Sequence, residues 1–96
     1  MKLWLDDERN PINHGKPDWV WVKTFNEAIK QLKTNLVTDI SFDHDLGEGK
    51  SGYDVAKWIE KEFMLNEEYP LPNVEVHSSN PVGRQNILSL FTNLKK

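Results

Sequence analysis

Residues 39–47 read DISFDHDLG, a strand-like run that passes directly into aspartate and histidine. Residues 2–7 read KLWLDD and have the same form, a short and mostly apolar run that ends abruptly at acids. Residues 73–77 read NVEVH, in which valine alternates with polar side chains. These runs predict strands whose carboxyl ends carry polar residues, which is where open α/β sheets bind their ligands.

The segments between these strands indicate a loop, one further strand and helices. Residues 10–18 are rich in proline, glycine and asparagine and predict a loop, while residues 19–24 (WVWVKT) favour a second strand. The capping pattern TxxE at residues 24–27 opens a first helix. The loop at residues 47–52 leads into a second helix, and Asn-Pro at residues 80–81 starts a third.

Strands that alternate with helices predict an α/β fold with a parallel sheet. Right-handed crossovers favour the order 2-1-3-4 for the four strands, with three helices in the connections. This order places residues 73–77 at a sheet edge, in agreement with their alternating pattern. We expect one domain over residues 1–96, because this length suits a single hydrophobic core.

Composition restricts the classes of function. The chain has no cysteine, which excludes a disulfide framework, a thiolate zinc site and a cysteine nucleophile. Its net charge of −3 argues against an extended nucleic-acid surface, although a small phosphorylated ligand could bind through a metal and local cations. The apolar runs are too short to cross a membrane and the start of the chain is acidic, so we expect a cytoplasmic protein without a membrane partner.

The strand ends gather carboxylates at the point where the winding of the sheet reverses. Asp6, Asp7 and Asp43 fall at this point, and Asp45 lies close by. Such a cluster repels itself unless a divalent cation neutralises it, and hard oxygen donors suit Mg²⁺ or Mn²⁺. The alternative is that these are ordinary turn and capping residues, but all three strand ends together favour a site.

Histidines and hydroxyl groups stand at the same strand ends. His44 and His77 could each serve as a general acid or base, because histidine titrates near neutrality, or each could be a hydrogen-bonded structural residue. Ser78 and Ser79 could donate a hydroxyl to a phosphoryl oxygen, or they could help to start the last helix. Asn80 already fills that capping position.

Two arginines are candidates for contacts with a phosphate. Arg84 lies in the first turns of the last helix, where the macrodipole disfavours a cation, so an anionic partner would explain it. The free N–H groups at the start of this helix, from Asn80 onward, form a natural phosphate site. Arg9 follows the first acidic run and could also reach the site. Either arginine could instead be solvated.

The chain resembles the cyclic-phosphate-processing receiver-like domains, a variant of the receiver of two-component signalling. The resemblance lies in the segments LDDERNP, SFDHDLG, SGYDVAKWIE and VHSSNPVGRQNI, and it covers nearly the whole chain. It implies a small flavodoxin-like or receiver-like fold with a metal-binding pair at Asp6 and Asp7. It also implies that Asp43 matches the position that accepts phosphate in signalling receivers, and that Ser78 or Ser79 matches the hydroxyl after strand 4.

The sequence departs from signalling receivers in two ways. We expect no fifth strand with its lysine within residues 1–96, because few residues follow the last helix pattern, and the extra polar groups His44, Asp45, His77 and Arg84 are present. These departures favour turnover of a phosphoester over signal reception.

We therefore expect a metal-dependent phosphoesterase that acts on cyclic phosphates, such as 2′,3′-cyclic RNA ends or cyclic nucleotides. The expected catalytic residues are His77, His44, Asp43 and Asp45. One alternative is a non-catalytic receiver-like module that binds a phosphorylated ligand or a protein partner. A second alternative is a phosphoaspartate switch at Asp43.

The second face of the sheet has no obvious cover. Right-handed crossovers put the first two helices on one face, and the loop at residues 10–18 crosses the other. We expect this loop to be too small a shield, so that Trp4, Trp19 or Trp21 leaves an apolar patch. Either the last helix folds back over this face, or two chains pair through it as a homodimer.

Overall fold

The computed structural model describes residues 1–47 and 49–94, in which strands and helices alternate. The strands are β1 (Lys2–Leu5), β2 (Val20–Val22), β3 (Asp39–Phe42) and β4 (Asn73–Val76), and the α-helices are α1 (Phe25–Leu32), α2 (Gly52–Leu65) and α3 (Pro81–Leu94). A short 3₁₀ turn over Pro11–His14 lies between β1 and β2. All neighbouring strands pair in parallel in the order β2-β1-β3-β4, which confirms the predicted topology.

The register of the strands separates the sheet into an apolar and a mixed face. Leu5 is level with Val22 and Phe42, and Phe42 is level with Val76, so these side chains share one face. All three helices pack on this face and build the hydrophobic core with it. Burial of each large apolar side chain in such a core stabilises the fold by about 1.5–3 kcal/mol before the cost of ordering the chain.

Helix α3 lies on the same face as α1 and α2, so the expectation that it folds back over the other face was wrong. Its buried stripe, Ile87, Leu90 and Phe91, joins the common core, and the Phe91 ring lies 5.8 Å from that of Phe42. The other face presents polar side chains at the corresponding positions of β3 and β4 and offers this stripe no apolar surface.

The loop before β2 covers the centre of the second face, contrary to the expectation that it could not. Trp4 is only 2% exposed. The rings of His14 and Trp19 lie 5.4 Å and 6.4 Å from it, and Trp19 and Trp21 remain partly exposed. The loop is a sufficient cover because it has to shield one large side chain, that of Trp4, rather than the whole face of the sheet. Pairing of two chains through the rest of this face stays a prediction.

The start of α2 lies close against the residues that directly follow β3. Ser51 caps α2, and its side chain and that of Asp54 form a reciprocal capping box. The next residue, Gly52, donates its N–H to the main-chain oxygen of His44 at 2.7 Å. A Cβ atom at position 52 would lie 1.9 Å from the carbonyl oxygen of Asp43, so only glycine fits here. None of the described helices is long and apolar enough to cross a bilayer.

Substitution of Gly52 by alanine is expected to destabilise the protein strongly, because the new methyl group would collide with the backbone at Asp43. The expected loss is about 3 kcal/mol or more in the free energy of unfolding, measured by urea denaturation. Gly49→Ala is the control, since Gly49 has a positive φ of 78° but open space around it. Equal or smaller destabilisation by Gly52→Ala than by Gly49→Ala would contradict the steric argument.

Candidate metal and phosphate site

The backbone ladder of the sheet continues one residue beyond the strands and places the polar side chains side by side. Asp43 donates its N–H to the oxygen of Leu5, and His77 donates its N–H to the oxygen of Phe42. Asp6, Asp43 and His77 therefore stand level at the carboxyl ends of β1, β3 and β4. This edge is where ligands bind in open α/β sheets.

The structure brings Asp6, Asp7 and Asp43 together. One carboxylate oxygen from each lies within 4.8 Å of the others. Asp6 is 1% exposed and Asp43 is 8% exposed, while Asp7 is partly exposed. The donors are all carboxylate oxygens, the ligands that Mg²⁺ and Mn²⁺ prefer, so the residues present fit such an ion. Their role as metal ligands stays a prediction.

The pKa of Asp43 is raised by burial first and by the neighbouring acids second. Burial raises the pKa of its carboxyl group above the ordinary value, and the charges of Asp6 and Asp7 raise it further. The guanidinium of Arg9 and a hydrogen bond from Ser78 act in the opposite direction and lower this pKa. Without a cation, the cluster therefore holds its negative charge at a cost.

Asp6 is fixed by hydrogen bonds to both of its carboxylate oxygens. Oδ1 accepts the backbone N–H groups of Glu8 and Arg9, each at 2.8 Å, so the chain turns immediately after β1. Oδ2 lies 2.9 Å from Nε2 of His77. The indole Nε1 of Trp21 donates to the main-chain oxygen of Asp6 at 2.7 Å. These contacts leave the carboxylate little freedom to rotate.

His77 lies at the carboxyl end of β4, and both of its ring nitrogens make hydrogen bonds. Nδ1 is 2.7 Å from Oγ of Ser41, Nε2 contacts Asp6, and the ring stacks on Trp4 at 3.8 Å between centroids. Burial lowers the pKa of His77, while the hydrogen bond and charge of Asp6 raise it. This geometry argues against the predicted role of His77 in direct proton transfer. Sequence reasoning also missed Ser41 and Trp4 as neighbours of the site.

His44 links the loop after β3 to the start of α3. Its Nδ1 is 3.1 Å from Oδ1 of Asp45 and 3.5 Å from Nδ2 of Asn80. The ring lies over Gly83, where an added Cβ would come within 2.3 Å of it. Nε2 of His44 makes no hydrogen bond within the described residues, so His44 and Asp45 together keep capacity for proton transfer.

The two serines after β4 have different surroundings. Ser78 is buried, and its hydroxyl interacts with Asp43 and accepts the N–H of Asn80 at 3.1 Å. Ser79 is exposed and lines the crevice. The side-chain oxygen of Asn80 accepts the N–H of Gly83 at 3.0 Å, as the sequence predicted for the cap of α3. Ser78 therefore supports Asp43, and Ser79 faces any ligand.

The arginines separate in the same way, and the expectation for Arg84 was wrong. Its Nη1 donates to the main-chain oxygen of Val76 at 3.3 Å, so the guanidinium lies on the open edge of β4 and away from the crevice. An unpaired carbonyl of an edge strand needs a donor, which accounts for a cation early in α3. Arg9 lines the crevice instead, with Nη1 3.7 Å from Oδ2 of Asp6.

These side chains surround a crevice of about 290 Å³, close to the lower end of the range for small-ligand pockets. All of its lining residues except Gly47 carry polar or charged side chains. The lining residues are Asp6, Asp7, Glu8, Arg9, Asp43, Asp45, Gly47 and Ser79. Carboxylates and a neighbouring guanidinium in one crevice suit a cation and a phosphate group bound side by side.

The fold and the arrangement of acids at its strand ends define a receiver-like α/β domain. A family model described as the cyclic-phosphate processing receiver domain matches residues 1–93, and the chain belongs to this family. No curated protein and no solved structure matches the chain.

Replacement of Asp43 by asparagine is expected to stabilise the metal-free protein at pH 7. The folded-state pKa of Asp43 is raised, so its contribution to stability falls as the pH rises above the unfolded value of about 3.9. A neutral amide at this position would remove this loss of stability. We expect the free energy of unfolding, measured by urea denaturation in EDTA, to rise by about 0.5–2 kcal/mol. The gain should shrink toward pH 3, where the carboxyl is protonated in either state. Asp18→Asn, in the exposed loop, is the control, and an equal gain there would contradict the explanation.

Proposed function

We propose that this protein is a metal-dependent phosphoesterase that opens cyclic phosphates, in agreement with the description of its family. The observation that carries the proposal is the convergence of three carboxylates, from Asp6, Asp7 and Asp43, beside the guanidinium of Arg9 in one crevice. Phosphoester chemistry needs these components, because the charge of the phosphoryl group must be neutralised while the group is attacked.

The three aspartates would hold Mg²⁺ or Mn²⁺, and the bound ion would supply Lewis-acid polarisation of the phosphoryl group. Arg9 would bind the non-bridging phosphoryl oxygens through charge-assisted hydrogen bonds, which its planar guanidinium can make in pairs. The hydroxyl of Ser79, which also lines the crevice, would add a neutral donor. Binding of the phosphate would then pull Arg9 away from Asp6 and toward the ligand.

Ring opening adds water across one phosphoester bond, so a proton must leave the water and another must reach the departing ribose oxygen. Asp45 is an exposed carboxylate of the crevice, with its side chain 72% exposed, and it lies next to His44. We assign the proton acceptor to this pair, with Asp45 facing the water and His44 sharing the proton through Nδ1. The bond from the water oxygen to phosphorus forms as the bond to the ribose oxygen breaks, and the protonated pair then returns its proton to the departing ribose oxygen.

A non-catalytic receiver-like module that binds a phosphorylated ligand is the second candidate. It is favoured by the engagement of both ring nitrogens of His77, which leaves one fewer histidine for proton transfer. Such a module would use the same crevice and the same Arg9, and it would differ only in the absence of turnover.

The two candidates are separated by incubating the protein with Mg²⁺ and a panel of 2′,3′-cyclic nucleotides and cyclic-ended RNA. Chromatography and phosphorus NMR report ring opening, and calorimetry reports binding. Turnover that is lost in Asp7→Asn and kept in the exposed-loop variant Asp18→Asn supports the esterase. Binding without ring opening supports the module. If the protein neither opens nor binds these cyclic phosphates, both candidates are rejected.

Arg9 and Arg84 provide a matched pair for the phosphate contact. Arg9→Ala is expected to weaken substrate binding about tenfold or more, the usual loss of a hydrogen bond to a charged group. Arg84→Ala is expected to leave KM and kcat near the original values, because its guanidinium lies against Val76 outside the crevice. Steady-state kinetics of both variants check this, and a larger effect of Arg84→Ala would overturn the assignment.

A further inference from the structure

A chain of three side chains, of which Ser41 and Asp6 are buried and His77 is partly buried, runs beneath the crevice. The hydroxyl of Ser41 in β3 contacts Nδ1 of His77 at 2.7 Å, and Nε2 of His77 contacts Oδ2 of Asp6 at 2.9 Å. The imidazole lies flat on the indole of Trp4, with an angle of 6° between the planes. The contacts join β1, β3 and β4 just below the carboxylate cluster.

The size of Ser41 makes this arrangement possible. Trp4 stands on β1 and His77 follows β4, so their rings can meet only by reaching across β3, which lies between them. Ser41 is level with Trp4 in the sheet and fully buried, and its short side chain leaves the space above β3 free. A larger residue at this position would occupy the space of the stack.

The hydrogen-bonding capacities of the three groups determine their roles. An ionised carboxylate can only accept, so Nε2 of His77 must carry a proton and donate it to Asp6. In the neutral ring Nδ1 is then an acceptor, and the Ser41 hydroxyl is its donor. Ser41 therefore holds the one tautomer that can bind Asp6, while Trp4 holds the plane of the ring.

We propose that His77 is a positioning residue that orients the Asp6 carboxylate for metal binding, with Ser41 and Trp4 fixing its tautomer and plane. The inference rests on the proposed function, because it concerns the same metal site. Histidine or amide donors behind a ligating carboxylate restrict its rotation, and their loss typically weakens metal affinity about 10–100-fold.

The test measures Mn²⁺ affinity by calorimetry on the full chain, together with the free energy of unfolding in EDTA. His77→Phe keeps an aromatic ring for the stack on Trp4 but removes both hydrogen bonds, and we expect Mn²⁺ binding about 10–100-fold weaker. His77→Gln keeps an N–H donor toward Asp6 and should restore most of the affinity. His14→Phe is the control, because His14 also lies against Trp4 but makes no hydrogen bond to Asp6.

Ser41→Ala gives a second readout that leaves His77 in place and serves if His77→Phe does not fold. We expect its Mn²⁺ affinity to fall about fivefold, as for the loss of one hydrogen bond. Nitrogen NMR of the imidazole should show the proton on Nε2 in the unchanged protein. A proton on Nδ1 alone would overturn the proposal.

The outcomes separate this inference from the proposed function. If the unchanged protein does not bind Mn²⁺, both fail. If it binds Mn²⁺ and His77→Phe or Ser41→Ala binds equally well, only the positioning role fails. If His77→Phe binds Mn²⁺ as tightly as the unchanged protein and His77→Gln loses one limb of the pH profile of turnover, His77 transfers protons and the positioning role is again rejected.

Discussion

Burial of the Asp6 carboxylate is the constraint around which the rest of the site is organised. Removing an ionised group from water costs several kcal/mol unless hydrogen bonds replace its hydration. The backbone N–H groups of Glu8 and Arg9 supply two of these bonds and force the chain to turn after β1. His77 supplies the third, which ties the edge strand β4 to the centre of the sheet. The acid is thus a structural centre as well as a candidate ligand.

The features that follow from local sequence patterns and from the rules of parallel sheets were predictable from the sequence. Strand order and the caps of α1 and α3 follow from local patterns and from the handedness of crossovers, and the structure confirms them. The approach of Asp43 to Asp6 and Asp7 was also predictable, because parallel strands end at one edge. The same rule applies to any ligand site of this topology, so it depends little on particular side chains.

The errors arose where contacts cross from one strand to another. Nothing local in the sequence shows that the small Ser41 leaves room for a ring from β1 to meet a ring from β4, so His77 was expected to face the crevice. Arg84 was assigned from the helix dipole, but the open carbonyl of Val76 is a closer partner. The position of α3 also depends on which face of β3 and β4 is apolar, and this is decided by packing rather than by connection handedness alone.

The guanidinium of Arg84 on the outer edge of β4 bears on how the protein behaves at high concentration. A parallel sheet of four strands leaves two edges, and an unpaired edge is a template onto which another chain can add a strand and begin aggregation. A bulky, permanently charged group held against Val76 occupies part of that template and repels a second copy carrying the same charge. Charges placed on edge strands are one of the ways in which natural sheets avoid such pairing, and Arg84 fits this pattern at β4, the strand whose end carries His77.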